Sequence, residues 1–316
     1  MVASADTAGT DPGTGTLAGA TFWPDPYSNA AKQAEEWRLS RPEDAAYMDV
    51  IAAEAQADWF GDWNGDVRAE VDARTTTITA TGALPVYVAY NIPLRDCSSY
   101  SGGGATSADA YRSWIRAFAE GLAGRPAAVV LEPDGLALMG CLSDAQQQER
   151  LALLADAVEV LSAGGAWVYL DAGHARWHPA ATTADRLLAA GVAQAAGFAL
   201  NVSNFVADGE SVLYGESVSD LLGGARFIVD SSRNGLGPAD GDEWCNPDGR
   251  ALGTRPTTVT GHDRVDAFLW IKRPGESDGT CNGGPSAGSW WADYALGLAK
   301  RAVDGTTTTV VAASDG

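Results

Sequence analysis

The feature that most constrains this chain is a repeated unit: a short apolar run, a polar loop that carries a carboxylate, then a stretch able to form a helix. Pro85–Tyr90, Ala127–Leu131, Ala166–Leu170 and Ala267–Ile271 are too short for buried helices and read as strands covered on both faces. Asp96, Asp134, Asp171 and Asp278 follow them, in Y-N-I-P-L-R-D-C (90–97), V-V-L-E-P-D-G-L-A (129–137), V-Y-L-D-A-G-H (168–174) and W-I-K-R-P-G-E-S-D-G (270–279). Thr21–Trp23, Asp58–Trp63, Gly197–Asn201 and Arg226–Asp230 are further strand candidates. Between them the pattern predicts helices over Asn29–Leu39, Arg41–Gln56, Asp66–Ala80, Ser107–Gly121, Ser143–Ala163, Pro179–Ala190, Gly209–Leu222 and Ser289–Val303, with Ser107 and Ser143 as N-caps. The threonines at 75–77 weaken the third helix.

A β-then-α order demands parallel strands with right-handed crossovers. Seven or eight such units over ~290 residues suit a closed, TIM-like barrel better than an open sheet. No G-x-G-x-x-G follows the first strand, and P-loop and H-E-x-x-H motifs are missing from the sequence. The expectation is a single α/β domain over 21–304. Residues 1–20, rich in Gly, Thr and Ala, read as a disordered linker left after removal of a signal, and 305–316 as a tail.

Acidic residues outnumber basic ones 41 to 21, a formal charge of −20. That field repels nucleic acid and anionic lipid but is indifferent to a neutral sugar. No run approaches ~20 strongly apolar residues, so no transmembrane helix is expected. Four cysteines allow three pairings. Their order favours Cys97 with Cys141 and Cys245 with Cys281, each closing a loop after a carboxylate-bearing strand. Paired cysteines imply an oxidising compartment and secretion. Only three histidines, and no H-E-x-x-H motif, argue against a metal.

Carboxylates at strand ends, with no metal motif, suit acid and base chemistry on an uncharged substrate, as in glycoside hydrolysis. Barrel sites are built at strand C-termini, so Glu132 or Asp134 should face the site. The two share a side if the strand stays extended through Pro133. An acid among Leu131, Leu136 and Leu138 would have the raised pKa of a proton donor; the alternative is an Asp capping a turn. Asp96 beside Arg95 would stay ionised as a base or electrostatic helper, or else form a buried pair that fixes a loop. Lys272 or Arg95 could hold Asp278 ionised, with Glu276 nearby; a surface charge cluster is the alternative. The chain has 11 tryptophans, and indoles stack on sugar C–H faces. Trp23, Trp59, Trp63, Trp177 and Trp244 fit that role, while Trp270 is assigned to the core. His174, Asn201 and Asn204 could bond sugar hydroxyls. The Gly-, Pro-, Asn- and Asp-rich segment 234–263 reads as a long loop over the site.

Together these segments, with D-A-G-H-A-R-W (171–177), N-V-S-N-F (201–205), D-S-S-R-N-G-x-G-P (230–238) and E-W-C (243–245), resemble glycoside hydrolase family 6, the inverting cellulases. The similarity runs from about Phe22 to Ala302. The resemblance implies a distorted barrel of seven parallel strands around a groove or tunnel. It implies Asp134 as proton donor, Asp96 as its support and a helper of the attacking water, and Asp278 as the carboxylate proposed as base, with Lys272 and Glu276 in the adjoining sugar site. Trp177, Trp244, His174 and Asn201 match sugar-contacting positions, and Trp63 stays a candidate on its indole alone. Asp171 matches a carboxylate at the same face, Arg95 and Tyr90 are taken as supporting residues, and both cysteine pairs match the family's bridges. A tyrosine near the reacting sugar is expected in the first strand, where this chain has Phe22-Trp23-Pro24; Trp23 can stack but has no hydroxyl. Ser101-Gly-Gly-Gly104 reads as a loop that closes over substrate.

Only 35 residues lie between Cys245 and Cys281, which reads as the shorter, open, endo-acting form. The expected activity is a secreted, monomeric endo-β-1,4-glucanase acting on cellulose or cello-oligosaccharides without a cofactor. Its two working carboxyls should stand roughly 6.5–9.5 Å apart to hold a water. An exo-acting cellobiohydrolase and a non-catalytic glucan-binding barrel are the alternatives.

Overall fold

The structure is a computed structural model and describes residues 17–302. The tail at 305–316 and most of the expected linker lie outside the described residues. Seven strands form one parallel sheet in chain order: β1 (Asp58–Gly61), β2 (Val86–Tyr90), β3 (Ala127–Leu131), β4 (Ala166–Asp171), β5 (Gly197–Leu200), β6 (Arg226–Asp230) and β7 (Val265–Leu269). Around it run α1 (Asn29–Trp37), α2 (Pro42–Ala52), α3 (Val67–Thr79), α4 (Ala108–Leu122), α5 (Asp144–Ala163), α6 (Ala180–Ala189), α7 (Asp208–Leu221) and α8 (Ala292–Lys300). This is the expected α/β barrel architecture, with one difference in closure.

No ladder joins β7 to β1 among the described residues, so the sheet curls into an open barrel. Side chains take the acceptors that a closing ladder would use. Trp59 Nε1 donates to Ile271 O at 2.9 Å, and Arg273 Nε donates to Ala57 O at 3.0 Å. Arg273 also pairs with Asp58 at 2.9 Å, and one main-chain bond, Ala57 N to Trp270 O at 3.0 Å, crosses the seam. The expected strand at Thr21–Trp23 is not formed; the segment is tied by Leu84 N donating to Thr21 O at 2.8 Å and the Thr21 hydroxyl donating to Gly82 O at 3.5 Å. The expected linker is corrected at its end: Leu17 is buried in the apolar cluster of Val86, Val88 and Ile228, where transfer from water favours it.

Both faces of the sheet are buried, as the unbroken apolar runs require. Val86, Val88, Val130, Tyr169 and Ile228 point into the barrel, while Tyr87, Ala89, Val129, Leu170 and Phe227 pack under the helices. The period of two therefore operates inside runs that look uniformly apolar. The helix starts follow their caps. Ser107 Oγ accepts from Ala110 N (3.1 Å), Asp66 Oδ1 from Ala69 N (3.1 Å), and Gln146 Oε1 from Ser143 N (2.9 Å). α3 tolerates its threonines because Thr75, Thr77 and Thr79 donate their hydroxyls to the carbonyls of Val71, Ala73 and Thr75. Because all strands run one way, the loops after them converge on a single end.

Candidate active site

Past β2 the chain enters four residues with left-handed φ within five positions: Leu94 (58°), Asp96 (52°), Cys97 (48°) and Ser98 (65°). Such backbone persists only where its surroundings over-determine it. Here the Cys97–Cys141 disulfide pins one side, and the buried Arg150 donates to Pro93 O (2.6 Å) and Leu94 O (3.1 Å). Arg95, also buried, donates to Tyr90 O (2.7 Å) and Ser101 O (2.8 Å).

Arg95 does not pair with Asp96; its ion-pair partner is Asp62, at 2.9 Å. Asp96 instead accepts from Ser101 N at 2.7 Å, and partial burial raises its pKa. The expected direct Arg95–Asp96 pair is thus not formed, although the charge of Arg95 still works against that rise. The guanidinium is committed to a loop 33 residues away.

The E-P-D turn after β3 does not stay extended. Glu132 and Asp134 have φ of 51° and 65°, so their side chains diverge. Glu132 turns beneath the loop after β2, where its carboxyl accepts from Asn91 N and Ile92 N at 3.0 Å each. Burial pushes its pKa to about 7, against the lowering effect of those amides. Asp134 faces the cavity. Burial, then the like charges of Asp171, Asp96 and Asp278, raises its pKa well above the usual carboxylate range. Beneath it, Asp171 Oδ1 accepts from Asp134 N (2.9 Å) and Gly173 N (3.1 Å), and burial takes Asp171 to about 7.

Across the cavity, Asp278 is buried against cations. Arg233 Nη1 lies 2.8 Å and Lys272 Nζ 3.6 Å from its oxygens, and Asn246 N donates at 3.0 Å. Burial lowers the Lys272 pKa while Asp278 opposes the shift. Lys272 is thus the expected partner, but Arg233, with 0% exposure, is the closer one and was not anticipated. The D-S-S-R-N-G segment held the only signal: an arginine three residues after a strand-end carboxylate. That carboxylate, Asp230, accepts from Ser203 N (3.0 Å), Ser232 N (3.0 Å) and Lys272 N (2.9 Å), and so ties the ends of β5, β6 and β7 together.

Asp96, Asp134 and Asp278 line one cavity of about 430 Å³, with Tyr90, Lys272, His174, Trp177 and Trp244 among its other walls. Trp59, Ser203, Asn204, Arg176 and Asp242 also line it. Burial takes the His174 pKa down to about 4, so a neutral imidazole faces the cavity. Trp63 and Glu276 line an adjoining cavity that shares Trp59, Tyr90, Ser101 and Lys272 with the first. Tyr100, from the loop after β2, meets Trp244, from the loop after β6, with ring centroids 6.1 Å apart.

Two expected residues take other places. Asn201 is 0% exposed, and its amide is spent on Val206 O, Asp230 O and Val206 N, leaving nothing for a ligand. Trp23 lies away from the main cavity, stacked on Arg74 at 4.8 Å; the tyrosine at the cavity is Tyr90, from β2. Trp270 is in the core as expected, with Nε1 donating to Thr254 O at 2.9 Å. Both disulfides, Cys97–Cys141 and Cys245–Cys281, pair as expected.

The chain is 44% identical over 283 residues to endoglucanase A of Cellulomonas fimi, covering 89% of this chain and 61% of that protein. It therefore spans less than two thirds of that relative. Its fold matches the Mycobacterium tuberculosis endoglucanase solved with methyl-cellobiosyl-4-deoxy-4-thio-β-D-cellobioside. The TM-score is 0.87 at 45% identity, over 92% of this chain and 99% of that one. The catalytic core of the Chaetomium thermophilum cellobiohydrolase is more distant: TM-score 0.79 at 28% identity, over 92% and 98% of the two chains. The model of glycosyl hydrolases family 6 matches residues 17–302, all of the described chain, and the protein belongs to that family.

Proposed function

We propose that this protein is a secreted, monomeric endo-β-1,4-glucanase that hydrolyses internal bonds of cellulose or β-glucan with inversion at the anomeric carbon. The observation that carries the reading is the Asp134 carboxyl: partly buried, facing the cavity, and surrounded by three other carboxyls that disfavour its ionisation. A carboxyl still protonated near neutrality delivers its proton to the glycosidic oxygen as the bond to the anomeric carbon breaks. Water attacks that carbon from the opposite face and must lose a proton. Asp278 has its lone pairs engaged by Arg233, Lys272 and the Asn246 amide, and serves best as fixed negative charge beside the developing oxocarbenium ion. Asp96 carries no cation on its carboxyl, and its raised pKa suits it to accept the proton from water.

Trp177 and Trp244 offer ring faces to sugar C–H surfaces, and the neutral His174 offers a hydrogen-bonding edge. Two disulfides agree with an extracellular setting, and no described helix is long and apolar enough to cross a membrane. Proton NMR of freshly formed products tests the reaction class: the α-anomer should appear first, and an initial β-anomer would refute inversion. Rapid loss of carboxymethylcellulose viscosity against slow release of reducing ends identifies internal cutting. The reverse pattern would favour a cellobiohydrolase, and cellohexaose binding without any product would favour a glucan-binding barrel.

A further inference from the structure

Arg176, in the loop after β4, makes a forked bond to Glu210 in the first turn of α7, with Nε to Oε1 at 2.8 Å and Nη2 to Oε2 at 2.9 Å. Its remaining nitrogen reaches Asp242, in the loop after β6, at 2.6 Å. One guanidinium thus joins the loops of three successive strands along one flank of the cavity, and both Arg176 and Asp242 line that cavity.

The consequence falls on Trp244. Asp242 holds φ of 55° just after Gly241 at 74°, a turn that a non-glycine residue adopts only when something secures it. Glu243 accepts from Asn282 Nδ2 at 2.7 Å, and Cys245 is bonded to Cys281. Both of those anchors lead to the same short segment after β7. Arg176 provides the tie in the other direction, towards β4. Trp244 itself is 47% exposed and touches Tyr100. Isolated surface pairs contribute little, but a bidentate arginine shared by two carboxylates is the geometry in which such pairs do matter.

Resting on the glucanase reading, we propose that Arg176 is a positioning residue for substrate binding: its bridge to Glu210 and Asp242 holds the 240–245 loop so that the Trp244 ring is presented to the sugar chain. The role is one of affinity. Asp134, Asp96 and Asp278 sit on other loops and bond to none of the three bridge residues; the tie from Asn246 N to Asp278 lies beyond the Cys245–Cys281 bridge, which anchors it separately.

The test is a double-mutant cycle on the full chain with cellohexaose as probe. Arg176→Ala should raise KM about five-fold, with kcat changed less than about two-fold. In a Trp244→Ala background the same substitution should add less than about two-fold, because the ring it positions is gone. Arg176→Lys keeps the charge without the fork and should behave like Arg176→Ala. Raising NaCl from about 0.02 to 1 M should raise the KM of the unsubstituted protein and leave that of Arg176→Ala flat. An unchanged KM in Arg176→Ala, or a full-sized effect persisting without Trp244, would overturn the proposal. If the unsubstituted protein neither binds nor cleaves cellohexaose, the glucanase reading fails instead.

Discussion

Asp171 Oδ1 lies 2.9 Å from the backbone nitrogen of Asp134, while its other oxygen, Oδ2, is buried without a hydrogen-bond partner. The second carboxyl therefore holds the main chain of the first and adds negative charge below it. Replacing Asp171 by Asn keeps one acceptor oxygen and removes the charge. Asp134 is active while protonated, so activity falls as pH rises through its pKa. Removing a like charge makes its ionisation easier and lowers that pKa. The alkaline limb of the kcat/KM profile should move to lower pH in Asp171→Asn. A limb that stays or moves up would contradict the assignment.

Asp134→Ala should reduce kcat on cellohexaose about a hundred- to ten-thousand-fold. It should do far less damage on a dinitrophenyl cello-oligosaccharide, whose leaving group needs no proton. Equal losses on both substrates would mean that Asp134 is not the donor.

Arg233→Met leaves Asp278 buried with Lys272 as its remaining cation. Breaking a buried pair from one side destabilises by about 3–5 kcal/mol, because the abandoned charge stays out of water. Urea denaturation followed by tryptophan fluorescence should show a midpoint lowered accordingly. A change under about 1 kcal/mol would show that Lys272 alone suffices.

Glu132 gives a pH-dependent stability of the less common sign. Its folded pKa is raised to about 7 from an ordinary 4.5, so the folded state binds its proton more tightly than the unfolded chain does. The group is least unfavourable below pH 4.5, and stability is lost progressively as pH rises from there to about 7. Glu132→Gln should flatten this part of the stability curve relative to the unsubstituted protein. Parallel curves for the two proteins would show that Glu132 does not titrate there.

The Cys97–Cys141 and Cys245–Cys281 bridges close loops of 44 and 36 residues. Chain entropy assigns each about 4 kcal/mol. Cys97→Ser with Cys141→Ser should lower the unfolding midpoint and also reduce kcat, because the left-handed loop carrying Asp96 loses its anchor. Intact kcat in a destabilised variant would separate the bridge from the site.

Local chemistry carried much of this protein in its sequence. Apolar runs of about five residues, bounded by Gly, Pro and Asp, specify strands, and Ser107, Ser143 and Asp66 specify helix starts, because these signals act over a few bonds. The placement of carboxylates after strands follows from the same reading, since parallel strands deliver all their loops to one end.

Tertiary structure decided what depends on distant partners and on the sign of a single φ. The left-handed turn at Glu132 and Asp134 sends one carboxyl under the floor and the other into the cavity, which an extended strand would not do. Arg95 chose Asp62 over its neighbour Asp96, and Asp278 found Arg233 from 45 residues away. Asn201 spent its amide inside the fold, and Trp23 stayed outside the cavity. A sequence lists the groups able to bond; only the packed chain determines which of them meet first and which are left facing the cleft.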